Sequence, residues 1–133
     1  MDEIRVRIEV EINPTEDSEK VKRAVENIFG QVAFETRAQQ RGSLLIAELK
    51  GLDGLTKMQN LLRRERIRAA ARGVFFEGLR GKSITFYLNK QVAFAGHVSF
   101  SQPVGESPLG PKKVEISCEN PRELIDWLAP KIT

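Results

Sequence analysis

One cysteine, Cys118, one histidine, His97, one tyrosine and one tryptophan are all that this 133-residue chain holds of those four types. A lone thiol cannot close an internal disulfide, so the chain suits a reducing compartment. One histidine and one cysteine are too few for a zinc site. A serine or cysteine nucleophile would have only His97 as its base, and Cys118 shares an apolar strand face with Val114 and Ile116, where a thiol is ordinarily inert. No aspartate-rich loop marks a magnesium site. The sequence therefore predicts no enzyme, no metal, no cofactor and no small-molecule ligand. No apolar run approaches the roughly 20 residues of a membrane span. The opening Met1-Asp2-Glu3 is acidic where a secretory signal would be basic, so a cytoplasmic protein is expected.

What the chain has is charge, unevenly spread. The net charge is only +3. Residues 1–36 hold five Lys/Arg against nine Asp/Glu, residues 37–82 hold eleven against four, and residues 83–133 hold five of each. The middle third thus carries the positive field, which can steer an anionic partner.

Length predicts a single domain over residues 1–133. Residues 3–12 alternate between Ile4, Val6, Ile8, Val10, Ile12 and charged neighbours, which is a strand with one buried and one wet face. Asn13-Pro14 ends it. A helix follows to Phe29, with Val21, Ala24, Val25 and Ile28 at helical spacing and Gly30 at its stop. Strands are expected near 32–37 and 44–49, then a turn at Gly51-Leu52-Asp53-Gly54 and a long helical region. Ser83–Leu88 and Val92–Phe100 read as a hairpin about Asn89-Lys90. Residues 101–113, rich in Pro, Gly and Ser, read as a long loop, and a last strand runs through Val114, Ile116 and Cys118. Asn120, Pro121 and Glu123 then stand at the N-cap, first-turn and capping-box positions of a terminal helix. The order β-α-β-β-α-β-β-β-α, with three helical segments, predicts an α+β fold on a mostly antiparallel sheet.

Residues 63–72 place five arginines in ten positions. At about 100° per residue, Leu55, Met58, Leu61 and Leu62 share one apolar face. A straight continuation would put Glu65 in the middle of that face and Ile67 in water. Ile67, Ala70, Ala71 and Val74 form a second apolar set turned about half a revolution from the first. A bend near Arg64–Arg66 turns both sets inward and leaves Glu65 exposed beside Arg68. Arg64, Arg68 and Arg72 are then the candidate row for contacting an anion such as an RNA phosphate.

Base recognition is less well supplied. Gly51-Leu52-Asp53-Gly54 has the spacing of a KH-domain clamp, but it joins a strand to a helix and carries Asp53, so it reads as a turn. Neither hairpin strand has an RRM stacking motif. Tyr87 is the one aromatic expected on an outer sheet face. With Thr85, Ala93, Ala95, His97 and Ser99 it makes a small-residue surface suited to a second subunit, and Tyr87, Ala93, Ala95 and His97 are the candidate interface.

Five stretches resemble an archaeal family of uncharacterised proteins: Asn-Pro-Thr-Glu-Asp at 13–17, Leu-Leu-Arg-Arg-Glu-Arg-Ile at 61–67 with Ala71-Arg72, Tyr-Leu-Asn-Lys-Gln-Val-Ala-Phe at 87–94, Ser-Pro-Leu-Gly-Pro at 107–111, and Ile-Asp-Trp-Leu-Ala-Pro at 125–130. The resemblance implies a fold like that of the ribosomal protein that contacts 5S rRNA, and an RNA-binding role on that analogy. It implies no catalytic or ligand-binding residues. The family pattern often has Asp after Ile67, where this chain has Arg68, so the basic patch is stronger here. Two expectations result. One is a non-catalytic RNA-binding protein acting through the arginine helix. The other is a homodimeric interaction module that binds no nucleic acid.

Overall fold

The structure, a computed structural model, describes residues 3–89, 98–101 and 111–131. Strand β1 (Arg5–Ile12) follows the alternation of its sequence, with Val6, Ile8, Val10 and Ile12 buried. Helix α1 (Ser18–Phe29) starts under Asp17, whose carboxylate accepts the Glu19 N–H at 2.9 Å. That bond satisfies one of the free donors at the helix start. Strands β2 (Phe34–Ala38) and β3 (Ser43–Lys50) follow, then helices α2 (Asp53–Arg64) and α3 (Arg68–Glu77). Strands β4 (Leu79–Arg80), β5 (Ser83–Asn89), β6 (Phe100–Ser101) and β7 (Pro111–Ser117) precede helix α4 (Pro121–Leu128).

The strands form one antiparallel sheet in the order β2-β3-β1-β7-β5-β4, and β6 joins the far end of β5. The class is α+β with an antiparallel sheet, as the pattern predicts. One hydrophobic cluster unites the inward residues of β1, β3, β5 and β7 with the buried faces of all four described helices, which therefore lie on one side of the sheet. Phe75, Phe86 and Phe100 meet at ring separations of 5.0, 5.8 and 5.9 Å, tying α3, β5 and β6 together. Such tilted and edge-on pairs add to simple area burial. Gly78 ends α3 where a Cβ would run into the Thr85 carbonyl, so the chain must be bare there for α3 to turn back onto β5.

Several expectations are corrected. A two-residue turn at Asn89-Lys90 would set Leu88 opposite Gln91, but Leu88 pairs with Phe100 and Tyr87 with Ser101. Of the expected strand over Val92–Phe100, Val98 and Ser99 are not strand and Phe100 is, while residues 90–97 lie outside the described residues. The last strand begins at Pro111, earlier than its apolar residues suggested. Lys112 occupies an inward position between Val10 and Leu88 and is fully buried. A lysine stem can cover apolar surface, so a charged letter hid a core position. Of the expected loop over 101–113, Ser101 and Pro111–Lys113 lie in strands, and 102–110 lie outside the described residues. The long helical region is two helices, and the two-residue β4 was too short to show a period.

Candidate nucleic-acid interface

The corner between α2 and α3 is built by hydrogen bonds of the backbone. Leu55, Met58, Leu61 and Leu62 are buried and fix the roll of α2 against the core. At its end the Ile67 N–H donates to the Leu62 carbonyl at 3.1 Å and the Arg66 N–H to the Arg63 carbonyl at 3.2 Å. This is the six-to-one, five-to-two pattern of a Schellman termination. Its left-handed position, usually glycine, is Arg66 at φ +58°. The chain reverses its roll there, as the two apolar sets require. Ile67 packs half-buried against the core and precedes α3, where Ala71 and Phe75 are buried. Ala70 is exposed, and Phe75 takes the inward place expected of it.

Around this corner Arg63, Arg64 and Arg66 are exposed and Arg68 is half-buried. Arg63 donates to Asn60 Oδ1 at 2.9 Å. Glu65, expected in water, is half-buried, and its carboxylate accepts the Val98 N–H at 3.3 and 3.4 Å. Across 63–68 the fully exposed charged side chains are therefore all cations.

Arg72 was expected to point outward and stands differently. Its side chain is 24% exposed, and Nη1 meets Asp126 Oδ1 at 2.7 Å and the Ala129 carbonyl at 3.1 Å. Its guanidinium lies 5.0 Å from the Phe76 ring, which Arg122 approaches at 5.6 Å. These contacts fasten α3 to α4. Arg64 and Arg68 thus stand at the corner, Arg72 stands on the α3–α4 seam, and Arg63 and Arg66 are additional members that helical angles did not single out. No sequence signal marks Arg66, because glycine is the residue that advertises such a termination.

The remaining expected features are quickly placed. Gly51-Leu52-Asp53-Gly54 is the junction of β3 and α2, where a Cβ on Gly54 would come within 3.0 Å of the Leu49 side chain. Tyr87 is half-buried on the sheet face opposite the helices, in register with Lys113. Ala93, Ala95 and His97 lie outside the described residues. Cys118 is buried, and loss of solvent pushes its thiol pKa up. Among the described residues, no cluster of three or more His, Cys, Asp or Glu could hold a metal. No helix among them is long and apolar enough to cross a membrane.

The class of protein follows from a family model described as RNA binding, which matches residues 5–105; the chain belongs to that family. More particularly, it is a member of the archaeal UPF0201 proteins. It is 45% identical over 130 residues to the UPF0201 protein of Sulfurisphaera tokodaii, covering 96% of this chain and 88% of that one. With the UPF0201 protein of Pyrobaculum aerophilum it shares 40% identity over 129 residues, 96% of this chain and 90% of the relative. The crystal structure of the UPF0201 protein from Methanococcus jannaschii superposes with a TM-score of 0.85 at 32% identity, covering 95% and 99% of the two chains. None of these descriptions names a catalytic activity.

Proposed function

We propose that the chain is a non-catalytic RNA-binding protein of the cytoplasm that contacts phosphates through the α2–α3 corner. The observation that carries this reading is the arrangement of Arg63, Arg64, Arg66 and Arg68 about one Schellman termination, with the intervening Glu65 turned to a backbone amide. The description of the matching family supports the ligand class. Guanidinium groups suit phosphate because their planar forks donate in pairs and stay charged.

The test is fluorescence anisotropy against RNA over a salt series, for the native chain and an Arg64/Arg66/Arg68→Ala variant. Four phosphate contacts predict a log–log slope of roughly −3 to −4, falling by about 3 in the variant. Equal binding by both proteins, with the variant folded, would dismiss the corner as the site.

A second reading is a homodimeric module with no nucleic-acid partner. It is favoured by the small, half-buried Ser83, Thr85 and Ser117, which lie in adjoining strands on the same sheet face as Tyr87. Sedimentation as a monomer at tens of micromolar would set it aside.

A further inference from the structure

We infer that the RNA recognised at the corner is double-helical, read through its backbone and not through its bases. The inference rests on the proposed RNA-binding role and narrows it to a substrate class.

Proteins that hold single strands lay successive bases on aromatic side chains along a basic track. Here the aromatics are spent elsewhere. Among the described residues none is fully exposed. Phe76, the aromatic on the seam nearest the corner in sequence, has the Arg72 and Arg122 guanidiniums at 5.0 and 5.6 Å from its ring centre. Phe100 stands edge-on to Phe75 and Phe86 in the core. Trp127 packs against the same core. Tyr87 lies across the sheet from the helices. An arginine corner whose described surroundings offer no stacking surface gains little from unstacked bases.

The amides that might read base edges are also engaged. Gln59 Nε2 donates to the Trp127 carbonyl at 2.8 Å, and Asn60 Oδ1 accepts from Arg63. What the described residues of the corner leave to meet RNA is guanidinium on two helices, with Arg63 and Arg64 before the left-handed Arg66 and Arg68 after it. A-form RNA hides its bases in a deep, narrow major groove and presents regularly spaced phosphates, so it is recognised chiefly by shape and backbone. Its higher charge density also releases more counterions per contact than a single strand does. The left-handed Arg66 is the element that puts cations on both arms of the corner.

The experiment compares a labelled RNA duplex of about two helical turns with each of its strands, designed to be unstructured, at physiological salt. A second duplex of unrelated sequence and the Arg64/Arg66/Arg68→Ala variant complete it. The duplex should bind roughly tenfold tighter than either strand. The two duplexes should agree within about twofold, and the preference should collapse in the variant. Arginine-dependent binding in which the single strands equal or exceed the duplex would overturn the inference while leaving RNA binding in place. Absence of binding to every probe would instead remove the RNA-binding role, and this inference with it.

Discussion

Two surfaces of the molecule use the same charged residues to opposite ends. On the outer face of the sheet, opposite charges are neighbours. Arg7 meets Glu9 at 3.0 Å on its own strand and Glu48 at 2.8 Å across to β3, and Glu115 stands opposite it on β7. Arg37 meets Glu35 at 3.4 Å on β2 in the same way. Both arginines are answered within a few ångströms, so they project little field. At the α2–α3 corner the exposed charges have one sign and the single acid is turned toward Val98. The period of a strand and the register of its partners set the first pattern, and a helix termination sets the second. A net charge near zero therefore says nothing about whether a protein can attract a polyanion. Half of the acids, nine of eighteen, fall in residues 1–36, before α2 begins.

The sharpest way to test this division is to exchange arginines that look equivalent in sequence. Arg72→Ala removes the Asp126 pair, the bond to the Ala129 carbonyl and the contact with Phe76. Because Arg72 is mostly covered but Asp126 is well exposed, we expect a loss of about 1–2 kcal/mol in unfolding free energy. The midpoint should fall by several degrees in a thermal melt. RNA affinity should change by less than about twofold, since no free phosphate ligand is lost. Arg68→Ala should do the reverse, leaving the melt nearly unchanged and weakening RNA binding by several-fold. Loss of RNA binding in an otherwise stable Arg72→Ala protein would show that the patch continues along α3.

Arg66 offers a smaller effect of unusual sign. A side chain at φ +58° costs roughly 1 kcal/mol relative to glycine, partly returned by the extra freedom glycine has when unfolded. Arg66→Gly should therefore stabilise the fold by about 0.5–1 kcal/mol. It should also weaken RNA binding and lower the salt slope by about 1. Arg66→Ala separates the two effects, because it removes the charge and keeps the strain. A destabilised glycine variant would mean that the arginine side chain itself holds the turn together, and the corner would then be structural.

Much of this layout can be read from the letters. The unbroken alternation of residues 3–12 is β1. The Asn120 N-cap forms as expected, with the Glu123 N–H donating to Asn120 Oδ1 at 3.3 Å, while Glu123 Oε2 reaches back to the side-chain Nδ2 of Asn120 at 3.2 Å. The conflict between two apolar sets locates the end of α2 within two residues, because a helix that cannot bury both faces must break. What the letters hide is whatever depends on a distant partner. The angle of Arg72 on α3 is a local property, but Asp126, which pairs with it, arrives more than fifty positions later. Lys112 carries the wrong polarity for its place, and Leu88 finds Phe100 across a connection that no turn motif announces. The branched signal of Glu65 is similar, since only the fold brings Val98 to it.

The least disruptive change tests the other half of the comparison. Arg7→Gln takes away both the Glu9 and Glu48 pairs, which together look like the strongest electrostatic feature of the sheet face. The hydrogen bond to Glu9 outweighs the opposing effect of burial and, with the charges of Glu9 and Glu48, holds the guanidinium even more firmly protonated than usual. Even so, the side chains are 37% exposed for Arg7 and 67% for Glu48, and water screens such pairs and competes for their hydrogen bonds. We expect a loss of no more than about 0.5 kcal/mol at low salt, shrinking further at 1 M salt, where the screening length is only about 3 Å. RNA affinity should rise or fall by less than about twofold, because the lost cation was already answered by two carboxylates. A large drop in RNA binding would mean that the sheet face, for all its pairing, is part of the interface. The contrast between the two surfaces would then fail at the point where charge pairing is densest.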